Sequence, residues 1–198
     1  RKLTSGDREA LFLHLFHSLS GERLAATLRC PACGEKMMLD LAVPDLLVPP
    51  AALSEEEYVR EVAGRRTVLR PVTGADLEAI CSKGEGAESL LRACVVSAEP
   101  PLPPEPLPAD QLEVFSEALA ALDPQADIVL DARCQCGNAI PVSLDTWEML
   151  DQALARRQER VDEEVHALAF YYHWTEEAIL ALPVHRRRRY LELIAGSL

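Results

Sequence analysis

Four of the six cysteines stand in two pairs, each followed by glycine: Cys30-Pro-Ala-Cys33-Gly34 and Cys134-Gln-Cys136-Gly137. Two thiolates this close in a tight turn can both point at one ion. Glycine after the second cysteine admits the left-handed backbone that turns the chain back. Backbone N–H groups in such a turn can face the sulfurs and stabilise their charge. Both pairs are flanked by strand-like sequence, which is the sequence form of a zinc ribbon. The expectation is one Zn2+ on Cys30, Cys33, Cys134 and Cys136. Four thiolates leave no open position for a catalytic water, so the ion would be structural, holding strand pairs that a small core could not hold alone. The second pair has one residue fewer and needs a tighter bite. Ordinary buried thiols are the competing reading. A redox pair would need a βαβ setting, which the flanking pattern lacks. Cys81 and Cys94 lie on apolar faces of expected helices and read as core residues.

The elements that must position these cysteines follow from periodicity and punctuation. Residues 5–19 predict an amphipathic helix capped by Ser5 or Asp7, with Leu11, Leu13, Leu15, Phe16 and Leu19 on its apolar face and Gly21 at its end. Met37, Leu39 and Leu41 alternate with Met38 and Asp40 as a strand leaving the first knuckle. Residues 57–71 predict a hairpin turning at Ala63-Gly64, although Ser54 with Glu57 also fits the start of a short helix. Thr73 and Asp76 open a helix to about Ser82, and a second short helix covers about 86–95. Six prolines in Glu99–Pro108 preclude a helix and predict a stiff extended connector across the surface. A helix over 110–122 stops at Asp123-Pro124. Ile128, Leu130 and Ala132 lead into the second knuckle, and Ile140, Val142 and Leu144 lead out. Asp145 and Glu148 form a capping pair for a long helix to about Tyr172, followed by a short helix capped by Thr175 and a last one over about 184–195.

The fold class expected is therefore α+β: a split zinc ribbon with a helical insertion and a C-terminal helical region. Its parts are an N-terminal helix (1–22), the ribbon halves (23–43 and 126–144), the insertion (44–125, with its proline connector 99–108) and the C-terminal helices (145–198).

The remaining candidates for chemistry are sparse. His14 and His17 sit three apart on the first helix with nothing to complete a ligand set. His166 and His173 are one heptad apart and, with Phe170, could line an interface. Glu55-Glu56-Glu57 and Glu163-Glu164 read as solvated faces. Gly-rich phosphate loops, nucleophile elbows and His-Glu-x-x-His are absent from the sequence, so no enzyme is expected. The net charge of −12 weighs against nucleic acid. The exception is Arg186-Arg187-Arg188-Arg189, which either meets an anionic partner or pairs with the chain's own acids such as Asp162 and Glu163. No apolar run reaches the ~18 residues of a membrane span. The opening residues lack a signal-peptide pattern, and clustered cysteines without one point to the reducing cytoplasm.

The order of motifs carries a resemblance. A Cys-Pro-x-Cys-Gly knuckle precedes Arg70-Pro-Val-Thr-Gly-Ala-Asp-Leu77, then the second knuckle. After it come His166-Ala-Leu-Ala-Phe-Tyr-Tyr-His-Trp-Thr-Glu-Glu-Ala-Ile-Leu-Ala-Leu-Pro183 and Arg186-Arg-Arg-Arg-Tyr-Leu-Glu-Leu-Ile194. From about residue 26 to 195 the chain resembles proteins of contractile phage tail-like particles similar to baseplate hub or assembly proteins of T-even-type phages. It departs from them in having Cys-x-Cys rather than Cys-x-x-Cys at the second knuckle. The resemblance implies a baseplate component that stays in the particle or leaves after assembly, acting through other baseplate or tail proteins. The residues themselves offer Trp174, Ile179 and Leu180 as a compact apolar knob, with Arg186, Arg187, Arg188, Arg189 and Tyr190 beside it as a partner surface. Trp174 packing the last helices together is the equal alternative. A zinc-ribbon adaptor for nucleic acid or transcription machinery is the runner-up function.

Overall fold

In a computed structural model, described over residues 3–21, 23–49 and 58–196, the chain is α+β and divides into two compact units, Arg1–Trp147 and Glu148–Leu198. Among the described residues, no helix is long and apolar enough to cross a membrane.

The first unit opens with α1 (Ser5–Ser20). Its cap is Thr4, whose hydroxyl accepts the Asp7 N–H while the Asp7 carboxylate accepts the Thr4 N–H. This reciprocal pair supersedes Ser5 or Asp7 as the cap, because the Thr-x-x-Asp spacing satisfies two orphan N–H groups at once. Leu13 and Phe16 are buried, whereas Leu11 and Leu15, placed on the apolar face from sequence, are 46% and 43% exposed. The buried stripe is narrower than the run of leucines. Gly6 is required where it stands: a Cβ there would meet the Asp123 carboxylate, which accepts the Gly6 N–H at 2.7 Å.

Two antiparallel hairpins carry the cysteines. β1 (Arg23–Arg29) pairs with β2 (Lys36–Ala42), and β6 (Val129–Arg133) pairs with β7 (Ala139–Ser143). Between them in sequence lies a module with its own core. β3 (Val59–Val62) turns at Ala63-Gly64, both at positive φ, into β4 (Arg65–Leu69), which also pairs with β5 (Val95–Glu99). The hairpin expected over 57–71 is thus present, while Ser54, Glu55, Glu56 and Glu57 lie outside the described residues. Around this sheet are α2 (Gly74–Lys83), α3 (Ala87–Cys94) and α4 (Ala109–Leu122). Val62, Leu69, Leu91, Leu107, Phe115 and Leu122 form the core.

Three expectations need correction in this module. Val95 begins a strand rather than ending a helix, because the β-branched pair Val95-Val96 and the coming Pro100 both favour extended backbone. The proline segment is not merely a surface connector. Leu107 is buried in the core with Leu102 against it, and the Leu107 N–H donates to Glu88 while Arg92 donates to the Pro103 carbonyl. Cys94 is fully buried as expected, but Cys81 is exposed, since α2 buries none of its residues fully.

The helix α5 (Thr146–Tyr172) runs into the second unit, which adds α6 (Glu176–Leu180), capped by Thr175, and α7 (Val184–Ala195). Its core is Leu168, Ile179 and Ile194, with Tyr172, Trp174 and Tyr190 packed against it.

Candidate metal centre

The two knuckles are built alike despite their different lengths. In the first, Arg29 pairs with Lys36 and six residues make the turn. In the second, Arg133 pairs with Ala139 and five suffice. Each turn is closed by equivalent bonds. Cys30 N–H donates to the Glu35 carbonyl and Cys134 N–H to the Asn138 carbonyl, both at 2.9 Å. Gly34 N–H donates back to Cys30 and Gly137 N–H back to Cys134, again at 2.9 Å. Gly34 and Gly137 adopt φ of 75° and 88°, the left-handed turn their type permits. The missing residue of Cys-x-Cys is therefore absorbed inside the turn, and the strands on either side keep their pairing.

The turns bring all four sulfurs together. Cys30, Cys33, Cys134 and Cys136 place their Sγ atoms within 4.8 Å of one another. The Cys30–Cys136 and Cys33–Cys134 separations are 3.7 and 3.6 Å. These are far from the ~2.05 Å of a disulfide. A tetrahedral ion with ~2.3 Å metal–sulfur bonds has sulfur–sulfur edges of about 3.8 Å, so the observed spacing suits such an ion. Cys30 and Cys134 are buried, while Cys33 and Cys136 face outward. Beneath the sulfurs lies a small shared core. Ala132 and Ile140 are buried there, and Leu28, Met37, Leu39 and Val142 pack against them. This group of cysteines could hold a metal ion.

Electrostatics within the cluster are those of four thiols competing for protons. Burial works to raise Cys30, but N–H groups of Cys33 and Ala32 directed at its sulfur outweigh it and bring the thiol down to about 6. At Cys33 the Glu35 N–H works to lower the thiol. The neighbouring thiols of Cys134, Cys136 and Cys30 overcome it and push Cys33 up to about 12. The Cys136 N–H favours the Cys134 thiolate, yet burial and the Cys136 thiol raise Cys134. Cys30 gives up its proton readily while Cys33 and Cys134 resist, as neighbouring like charges must. A dication bound there would let all four ionise together. Sequence reasoning missed Asn138, whose side-chain amide donates to Cys30 Sγ across the two knuckles at 3.9 Å. Its signal was its place immediately after Cys136-Gly137.

The other sequence candidates fall elsewhere. His14 is exposed and His17 half-buried with its Nδ1 unpartnered. Neither joins a metal-holding group among the described residues. His166 is exposed on α5, but His173 lies past its end at φ 56°, so the two do not share one helical face. Ile179 is fully buried and Arg187 nearly so. Arg187 donates to Glu164 at 3.0 Å and to the Leu182 carbonyl at 2.9 Å. Both residues belong to the core rather than to an open surface. The cluster's acidic partners are Glu164, for Arg187, and Glu192, which takes Arg189 at 3.1 Å, rather than Asp162 or Glu163, and Glu164 is accordingly not a freely solvated group. Trp174 stacks on Tyr172 (4.9 Å between centroids) and meets Tyr190 edge-on (5.0 Å), which is the helix-packing role. Leu180, Arg186, Arg188 and Arg189 remain exposed.

A cavity of about 650 Å³ lies among the start of α1, residues 47–49 and residues 122–125, with Asp7, His14, Asp123 and Gln125 in its lining. Three of these polar groups are engaged in structure. Asp7 caps α1, Asp123 accepts from Gly6, and Gln125 bonds the Leu46 carbonyl and Val48 N–H. No family model matches the chain, and no curated protein or solved structure matches it either.

Proposed function

We propose that one Zn2+ on Cys30, Cys33, Cys134 and Cys136 clips the two hairpins into a split zinc ribbon. We further propose that the chain is a non-enzymatic structural or assembly component of the baseplate of a contractile phage tail-like particle. The observation that carries the metal reading is the gathering of four sulfurs within 4.8 Å of one another, two pairs of them at 3.6 and 3.7 Å. Zinc suits it because a closed set of thiolates with no redox demand is the donor set of structural zinc. Four protein ligands fill the ion, so it acts by holding the strands together.

The baseplate reading rests on the resemblance in motif order, and the roles of the motif residues support a scaffold. In Arg70-Pro-Val-Thr-Gly-Ala-Asp-Leu77, Arg70 grips both Asp76 oxygens at 2.7 and 2.8 Å and reaches the Ala93 carbonyl. Asp76 in turn accepts from the N–H and hydroxyl of Thr73. This staple fixes the exit of β4 against α2 and α3. In the C-terminal motif, Trp174, Ile179 and Arg187 build the core of the second unit. Exposed Leu180, Arg186 and Arg188, with Arg189 beside them on its Glu192 partner and the open edge of half-buried Tyr190, form the surface offered to partner proteins.

The test is affinity capture of the tagged chain from its own host followed by mass spectrometry. Recovery of sheath, spike or baseplate-wedge proteins supports the reading. Recovery of RNA polymerase or ribosomes without tail proteins would replace it with the adaptor function.

A further inference from the structure

A zinc ion on four thiolates leaves the cluster with a net charge of −2, and part of that charge sits on Cys30, buried at 2% exposure. Buried anions need hydrogen-bond donors. In this site most donors are backbone groups of the knuckle that owns the sulfur: Ala32 and Cys33 for Cys30, Glu35 for Cys33, and Cys136 for Cys134. Asn138 is different in kind. Its carbonyl closes the second knuckle by accepting the Cys134 N–H at 2.9 Å. Its side-chain amide reaches over to Cys30 Sγ of the first knuckle at 3.9 Å. One residue thus touches both halves of a site whose halves lie about a hundred residues apart in sequence. Glu35, which closes the first knuckle in the equivalent position, is exposed, whereas Asn138 is half-buried. A carboxylate at the position of Asn138 would set a negative charge beside the sulfurs.

Resting on the four-thiolate reading, we infer that Asn138 is a positioning residue of the metal centre. Its amide stabilises the Cys30 thiolate and holds the first knuckle in register with the second, so that metal affinity depends on a side chain that is not a ligand. Outer hydrogen bonds of this kind typically change metal affinity by about 10–100-fold when removed.

The experiment uses the full chain, unaltered and as Asn138→Ala and Asn138→Asp. Zinc affinity is measured by competition with a chromophoric chelator, and the sulfur-to-cobalt charge-transfer band is recorded after loading with Co2+. Asn138→Ala is expected to bind zinc about 10–100-fold more weakly, with its cobalt band moved to lower energy, because a sulfur that loses a donor gives up its electrons more easily. Asn138→Asp is expected to lose more. A purely structural role would not move the band of the loaded protein. Affinities within about twofold of the unaltered chain together with an unmoved band would overturn the inference. So would variants that fail to regain their far-ultraviolet signal when zinc is added, since that assigns Asn138 to folding rather than to the sulfur. An unaltered chain that takes up no zinc and shows no sulfur-to-cobalt band would instead overturn the four-thiolate reading beneath it.

Discussion

The paired hairpins and the module inserted between them solve the same problem with different means. The module buries Val62, Leu69, Leu91, Leu107, Phe115 and Leu122 under two helices and a three-stranded sheet. Among the described residues the hairpins bury Leu24, Cys30, Ala132, Cys134 and Ile140, two of which are thiols. A pair of two-stranded ribbons is marginal in water by itself. The module is expected to hold by burial, and the hairpins to need a tie at their tips. A metal ion on the four cysteines would do this where the apolar residues run out.

The sharpest break of that contrast is removal of the metal. Replacing Cys134 with Ser, or adding a strong chelator, is expected to cost the hairpins most of the ~10–16 kcal/mol apparent for structural zinc. Hydrogen exchange should then show lost protection across β1–β2 and β6–β7 while α3 and α4 keep theirs. Equal loss in both regions would mean that the module also depends on the clip. Next in size is Phe115→Ala, fully buried in the module and expected to cost about 3–5 kcal/mol by denaturant unfolding, by the same amount with and without zinc.

Smaller still is the Arg70–Asp76 staple. Hydrogen bonds from Arg70 hold the Asp76 carboxyl well below the usual carboxylate range. A depressed carboxyl contributes stability that is present above its unfolded value of ~3.9 and is lost as pH falls through the folded value. Asp76→Asn should cost about 1.5–3 kcal/mol at neutral pH. The difference from the unaltered chain should shrink as pH drops below about 4. Least affected should be Met38→Thr on the outer face of β2, 83% exposed and expected to stay within about 0.5 kcal/mol.

Much of this contrast was legible in the residues. Cysteine spacing with a following glycine announced both knuckles, because few residue types tolerate that turn. The helices α4, α5 and α7 were marked by period and punctuation. What escaped the sequence depended on tertiary neighbours. β5 exists because β4 offers it an edge, and its helix-like approach through Leu90 and Leu91 hid the change at Val95. Leu107 reads as connector until the core over which it folds is known. Cys81 and Cys94 look alike in sequence, and only the packing of α3 separates a buried thiol from an exposed one. Ile179 and Trp174 had the composition of a partner knob, but the helices of their own unit cover Ile179 and use Trp174. Asn138 follows Cys136-Gly137 in sequence, but the reach of its side chain to Cys30 depends on how the other hairpin is placed.

Zinc content measured together with X-ray absorption at the zinc edge of the purified chain tests the four-thiolate centre. One zinc per chain with four sulfur neighbours at about 2.3 Å is the expected result. A chain without zinc, or zinc bound through nitrogen and oxygen, would contradict it.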